Sequence, residues 1–108
     1  MPGIPASLTV SNNTALDHLD CVGNQLKSLD VSKSTALTEL LCQRNLLTGL
    51  DITNNTALTS LPCSGNPGKS GKFTVTAWFG NDAVPEDFTT GTWSYNGQTV
   101  EIEYVKAE

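Results

Sequence analysis

Positive charge is scarce in this chain, and so are the residues that carry most catalytic chemistry. Of 108 residues only 6 are Lys or Arg against 11 Asp or Glu, giving a net charge of -5 and a pI near 4.6. The acids are scattered, and no basic patch exists to neutralise phosphates, so nucleic acid is not an expected partner. No apolar run approaches the roughly 20 residues of a membrane-spanning helix, so membrane insertion is not expected either. Met1-Pro2-Gly3-Ile4-Pro5-Ala6 lacks the charged and apolar regions of a signal peptide, and the start reads as an artificial boundary. Aromatic residues are missing from the first 72 positions: all 7, namely Phe73, Trp78, Phe79, Phe88, Trp93, Tyr95 and Tyr104, come later.

The reactive groups that are present do not combine into known sites. There is 1 His, and the 3 cysteines, an odd number, exclude a full set of intramolecular disulfides. His18 near Cys21 is too few ligands for a metal, and strand alternation turns the two side chains to opposite faces. Gly68-Lys69-Ser70 has the ending of a phosphate-binding loop, but Cys63 occupies the place of the first required glycine. No nucleophile has a base specified beside it, so neither an enzyme nor a cofactor is expected. Glu86 with Asp87 and Glu101 with Glu103 read as loop and solvent-face residues. Asn12-Asn13-Thr14 and Asn54-Asn55-Thr56 match glycan acceptor sequons, but they recur because a turn recurs.

What the chain does have is a period. Cys21, Cys42 and Cys63 are 21 residues apart, and so are Leu16, Leu37 and Leu58, Leu19, Leu40 and Leu61, Asn24, Asn45 and Asn66, and Leu8, Leu29 and Leu50. A fixed period of about 20 to 29 residues marks copies that bury their apolar faces only by stacking. The core reads Leu-x-x-Leu-x-Cys-x-x-Asn-x-Leu, as in Leu37-Thr38-Glu39-Leu40-Leu41-Cys42-Gln43-Arg44-Asn45-Leu46-Leu47, and the third copy fades after Asn66-Pro67. Alternation sends Leu40 and Cys42 inward and Glu39, Leu41 and Gln43 outward. The cysteines are therefore expected as buried thiols. In one column of a parallel sheet their Cα atoms lie about 4.8 Å apart with parallel Cβ vectors, wider than the roughly 3.8 Å a relaxed bridge prefers between Cβ atoms.

Other columns have structural work. Asn24, Asn45 and Asn66 are placed to hydrogen-bond the turn backbone from inside. Leu8 with Val10, Leu29 with Val31, and Leu50 with Ile52 form a second wall of short extended segments. Thr14, Thr35 and Thr56 beside Ala15, Ala36 and Ala57 are turn chemistry, and 21 residues leave no room for a full helix. Pro62, where other copies have Asp20 and Leu41, is expected to mark the end of the parallel sheet.

These copies resemble the short leucine-rich repeats of bacterial internalins, and more closely the Cys-bearing type with Thr-Ala-Leu and Leu-Asp-Val-Ser blocks found in secreted Bacteroides-like proteins. The resemblance covers residues 8 to 67. It implies a right-handed solenoid with a parallel sheet on a concave face, a secreted or cell-surface location, and a protein partner on that face. The outward set is His18, Asp20, Val22, Glu39, Leu41, Gln43, Ser60, Pro62 and Ser64, with Arg44 beside it. These positions vary between copies, and Val22, Leu41 and Pro62 are apolar where packing does not require it.

After a turn-rich linker at 68–71, residues 72–105 read as an antiparallel β cap or the first strands of a further β module. Lys72 to Phe79 alternates as a strand, 80–91 reads as a polar loop, and Asn96-Gly97 joins two alternating runs as a type I′ hairpin with Trp93 opposite Val100. The fold class expected is thus mainly β: three solenoid copies, then the cap. The leading functional expectation is a non-enzymatic protein-binding module. Two others are glycan binding through Trp78, which falls out of phase with its strand's apolar face, and a structural spacer with no ligand of its own.

Overall fold

The structure, a computed structural model, describes the backbone of residues 7–9 and the whole of residues 14–108. The expectations for residues 1–6, Val10, Asn12 and Asn13, and for the Leu8 side chain, lie outside the described residues.

Two kinds of short strand alternate along the chain. β1 (Ser7–Thr9), β3 (Ser28–Asp30) and β5 (Gly49–Asp51) come from the second wall; β2 (His18–Asp20) and β4 (Glu39–Leu41) carry the inward leucines before each cysteine. β1 pairs parallel with β3, Leu8 opposite Leu29, and β2 pairs parallel with β4, Leu19 opposite Leu40, so both ladders keep the 21-residue offset. Each 3-residue strand can bury only its middle side chain; Leu29, Leu40 and Leu50 are that residue. Burying one leucine contributes roughly 1.5–3 kcal/mol.

The chain is mainly β, in small sheets: two of 2 strands and one of 4, with a single 3₁₀ turn at Asn81–Ala83 among the described residues. The resemblance implies a parallel sheet across the repeats; the strands there pair in parallel two at a time, β1 with β3 and β2 with β4. Pro62 is one reason. Leu40 donates to Ser60 O at 3.2 Å and Cys42 to Pro62 O at 3.0 Å, and the N–H that would complete the alternation is the one proline lacks, leaving a lone bridge from Glu39 to Ser60. The ladder nevertheless does not end there. Leu61 donates to Asp87 O at 3.3 Å and accepts from Thr89 N at 3.1 Å, pairing parallel with Phe88.

The C-terminal segment also departs from the antiparallel cap expected of it. β6 (Lys72–Ala77) pairs parallel with β5, Val75 opposite Leu50, and β8 (Gln98–Lys106) pairs parallel with β6, Tyr104 opposite Val75. Only β7 (Thr92–Tyr95) runs antiparallel, to β8. Its hairpin has the expected form: Trp93 opposes Val100, and Asn96 and Gly97 have φ of 49° and 80°. The stretch 80–91 is more than a polar loop, because Phe88 is buried and extends the β2/β4 wall. One core cluster runs from Cys21 through Leu40, Cys42 and Leu61 to Phe73, Phe88 and Tyr104.

The 68–71 stretch is a closed turn. Lys69 N donates to Lys72 O at 2.7 Å, Lys72 N returns to Lys69 O at 3.1 Å, and Gly68 N holds Leu47 O at 3.1 Å. Gly68 has φ 63°, and a Cβ there would sit 2.3 Å from the Lys72 carbonyl oxygen, so only glycine fits.

Inside the turns the asparagines form a ladder. Asn45 Nδ2 donates to the carbonyls of Cys21, Cys42 and Gln43, and its Oδ1 accepts from Leu26 N. Asn66 Oδ1 accepts from both Asn45 N and Leu47 N, while its Nδ2 donates to Cys42 O and Cys63 O. Asn55 repeats the device on the other wall, donating to Val31 O and Ser34 O. Asn24, half-buried, makes a single side-chain bond to Cys21 O.

Asn45→Ala is expected to lower the free energy of unfolding by at least about 3 kcal/mol, because it strands several buried backbone groups at once. Asn24→Ala is expected to cost only about 1 kcal/mol. Urea titration of the two variants checks the difference, and equal losses would contradict the ladder's role.

Candidate functional site

The outward residues of β2 and β4 and of the segments beside them form rows. His18 lies opposite Glu39 and Asp20 opposite Leu41 in the β2/β4 register, and Glu39 bridges to Ser60. Because Leu61 pairs with Phe88, Asp87 extends the first row and Thr89 the second, giving His18–Glu39–Ser60–Asp87 and Asp20–Leu41–Pro62–Thr89. Gly23 N to Gln43 O at 3.1 Å and Arg44 N to Ser64 O at 3.0 Å continue the register, so Val22, Gln43 and Ser64 make a third row. The nine outward residues read from the sequence therefore fall into these three rows, with Arg44 next in sequence to Gln43. Asp87 and Thr89 were not foreseen, because the 21-residue period stops before them.

The face is apolar in its middle and acidic on one side. Val22 is 40 % exposed, one of two large apolar side chains open to solvent among the described residues, and Leu41 and Pro62 are half-buried beside it. His18 Nδ1 meets Glu39 Oε1 at 2.5 Å; both side chains are about half exposed, and a contact in such a setting adds little stability. Asp20 Oδ1 accepts from Val22 N at 3.1 Å, which orients its carboxylate on the surface. Gln43 Oε1 is enclosed without a hydrogen-bond partner.

Arg44 is held at the rim by its backbone. Its φ of 60° places a non-glycine residue in the left-handed region where its column mates are Gly23, φ 75°, and Gly65, φ 78°. The arginine stem covers Gly65, whose position would bring a Cβ to 3.1 Å from Arg44 Cγ.

Behind the face the cysteines are buried and unbridged. Cys21 N and Sγ both donate to Leu41 O, at 2.9 and 3.4 Å, and Cys42 N and Sγ both reach Pro62 O, at 3.0 and 3.8 Å. Cys63 N has the Thr89 hydroxyl at 3.0 Å, and that hydroxyl donates onward to Leu61 O. Burial pushes the Cys21 thiol up from about 9 to about 11, with the Asp20 carboxylate adding to it; burial also carries Cys63 to about 12, against a smaller opposing effect of Thr89. Cys42 is raised by burial and by its two cysteine neighbours. Thiols held protonated in this way are poor nucleophiles and poor metal ligands.

Trp78 follows the end of β6, so the strand's alternation does not reach it. Its ring meets Phe79 and Phe88 edge-on, centroids 5.0 and 6.3 Å apart, and is half-buried on the core. Among the described residues no helix is long and apolar enough to cross a membrane, and no group of three or more His, Cys, Asp or Glu is placed to hold a metal. Comparison with known families, curated proteins and solved structures finds no match to this chain.

At pH 8 Cys21 is expected to react with iodoacetamide on the order of a hundredfold more slowly in the folded protein than in urea, following its smaller thiolate fraction, with Cys42 and Cys63 slower still. The sign for stability follows: folded pKa values above the unfolded one contribute fully below about pH 9 and are lost as pH rises toward 11–12. Mass spectrometry of alkylation and an unfolding series from pH 8 to 11 check both.

Proposed function

We propose that the chain is a leucine-rich-repeat module, a right-handed solenoid of a secreted or cell-surface bacterial protein, that binds a protein partner through the face carrying His18, Asp20, Val22, Glu39, Leu41, Gln43 and Arg44. The observation that carries this reading is the alignment of outward residues into rows on a repeated inward frame. Leu19 and Leu40, Cys21 and Cys42, and Asn24 and Asn45 repeat behind residues that do not: His18 against Glu39, Asp20 against Leu41, Val22 against Gln43. Constraint on the inside with variation outside is what a recognition surface on a fixed scaffold looks like. An apolar centre at Val22, Leu41 and Pro62 within a polar rim matches the anatomy of a non-obligate interface.

A non-enzymatic role fits the same geometry. The thiols are protonated and enclosed, and His18 faces a carboxylate with no nucleophile between them. Location and solenoid handedness rest on the family resemblance, which speaks to fold more than to ligand.

Glu39→Lys with Leu41→Asp changes the charge and removes the apolar centre without touching the inward columns. Against a partner identified from surface-protein display, this double variant is expected to bind at least about 100-fold more weakly, as loss of a central anchor implies. Unchanged affinity measured by calorimetry, with the fold intact by circular dichroism, would sink the reading.

A further inference from the structure

We propose that the hairpin tip and the 67–71 turn form a second site, a cleft that takes one ring of a neutral saccharide. It is separate from the protein-binding face, and neither reading depends on the other.

The cleft arises because the inner face of the β7/β8 hairpin overruns the core. Trp93 and Val100, an opposed pair, close on the interior: Val100 is buried, and Trp93 packs edge-on to Phe73 with its Nε1 donating to Asn66 O at 2.8 Å. Two residues nearer the tip, the next pair on that face is Tyr95 and Gln98. These face the turn through Pro67, Gly68, Ser70 and Gly71 across a cleft of about 340 Å³. That volume is near the lower end of the roughly 300–1,000 Å³ of small-ligand sites, suited to a single ring.

The polar groups of this cleft are unused. Ser70, Asn96 and Gln98 are exposed and Tyr95 is half-buried, and no side-chain hydrogen bond within the described protein occupies their polar groups. Together they present a half-buried aromatic ring, two amides and two hydroxyls. A pyranose has the matching chemistry, an apolar C–H face for the ring and a rim of hydroxyls that donate and accept to amides and hydroxyls. No Asp, Glu, Lys or Arg lines the cleft, so a charged ligand would lose its hydration with no counter-charge in return. Tyr95 differs in this from Trp93, whose indole N–H is already bonded.

The test is titration of the ¹⁵N-labelled full chain with cellotetraose, xylotetraose, mannotetraose and chitotetraose, with tetragalacturonate and a proline-rich decapeptide as controls. At least one neutral sugar is expected to shift the Asn96 and Gln98 side-chain amide signals saturably and to receive saturation transfer from the Tyr95 ring. Tyr95→Ala is expected to weaken that binding about tenfold or more and Tyr95→Phe to retain most of it, since the ring face is kept. Gln98 is exposed and Ser70 sits at φ 54°, which glycine adopts freely. Gln98→Ala and Ser70→Gly therefore fold even if Tyr95→Ala does not, and each is expected to weaken binding at least about threefold. The Glu39→Lys, Leu41→Asp variant is expected to bind the sugar unchanged. The proposal is overturned if none of the four neutral sugars shifts these signals, if only the anionic sugar or the peptide does, or if Gln98→Ala and Ser70→Gly bind as tightly as the parent.

Discussion

The fold depends on satisfying backbone groups that point into a very thin interior. A repeat of 21 residues has too few to complete a helix, so its chain must turn between two walls of 3-residue strands, and the turns leave carbonyls and amides facing inward. Water cannot reach them once the leucines close. Asparagine resolves this with one side chain, because its amide donates twice and accepts twice within the span of a single turn. Asn45 and Asn66 make that reach across neighbouring copies, which is why they are buried and why the leucines on either side of them are too.

Cysteine solves the adjoining problem. Its column needs a side chain small enough for a narrow interior and apolar enough to be buried, and a weak donor is an advantage because one carbonyl of the next copy is shared. At Cys21 and Cys42 the N–H and S–H converge on the same oxygen. Serine there would put a stronger donor and an unmatched acceptor into the core, and leucine would overfill it. The thiols are thus packing groups, and their raised pKa values are a consequence of that burial.

What could be read from the residues follows from where the physics is local. Alternation and the 21-residue period placed the inward leucines, the cysteines, the asparagine ladder and the outward rows. The Asn96-Gly97 turn set the hairpin register by itself. The strand partners of the C-terminal segment were not local. Leu50 to Val75 is 25 positions, Leu61 to Phe88 is 27, and Val75 to Tyr104 is 29, so no fixed spacing announces that β6, Phe88 and β8 extend the same two walls. The aromatics that looked like a separate cap instead fill the larger cross-section those longer spans create. Pro62 misled for a related reason: it removes one N–H on the β4 side, while the opposite edge, through Leu61, remains free to pair.

The same distinction separates the two candidate sites. The rows of His18, Asp20 and Glu39 follow from phase, since an outward residue in a known strand must lie beside its neighbour in register. The Tyr95 cleft follows from an approach between two turns, 67–71 and 95–98, whose distance no periodicity encodes. Its residues look like ordinary hairpin and loop positions, and what distinguishes them is that they line one concavity. Isolated idle groups on a surface are solvated and unremarked, but Ser70, Tyr95, Asn96 and Gln98 converge on one concavity beside a ring that packing already holds. The Tyr95 ring is already held by packing, so binding has to order only the short exposed side chains around it, which limits the loss of freedom that weak, individually modest contacts must offset.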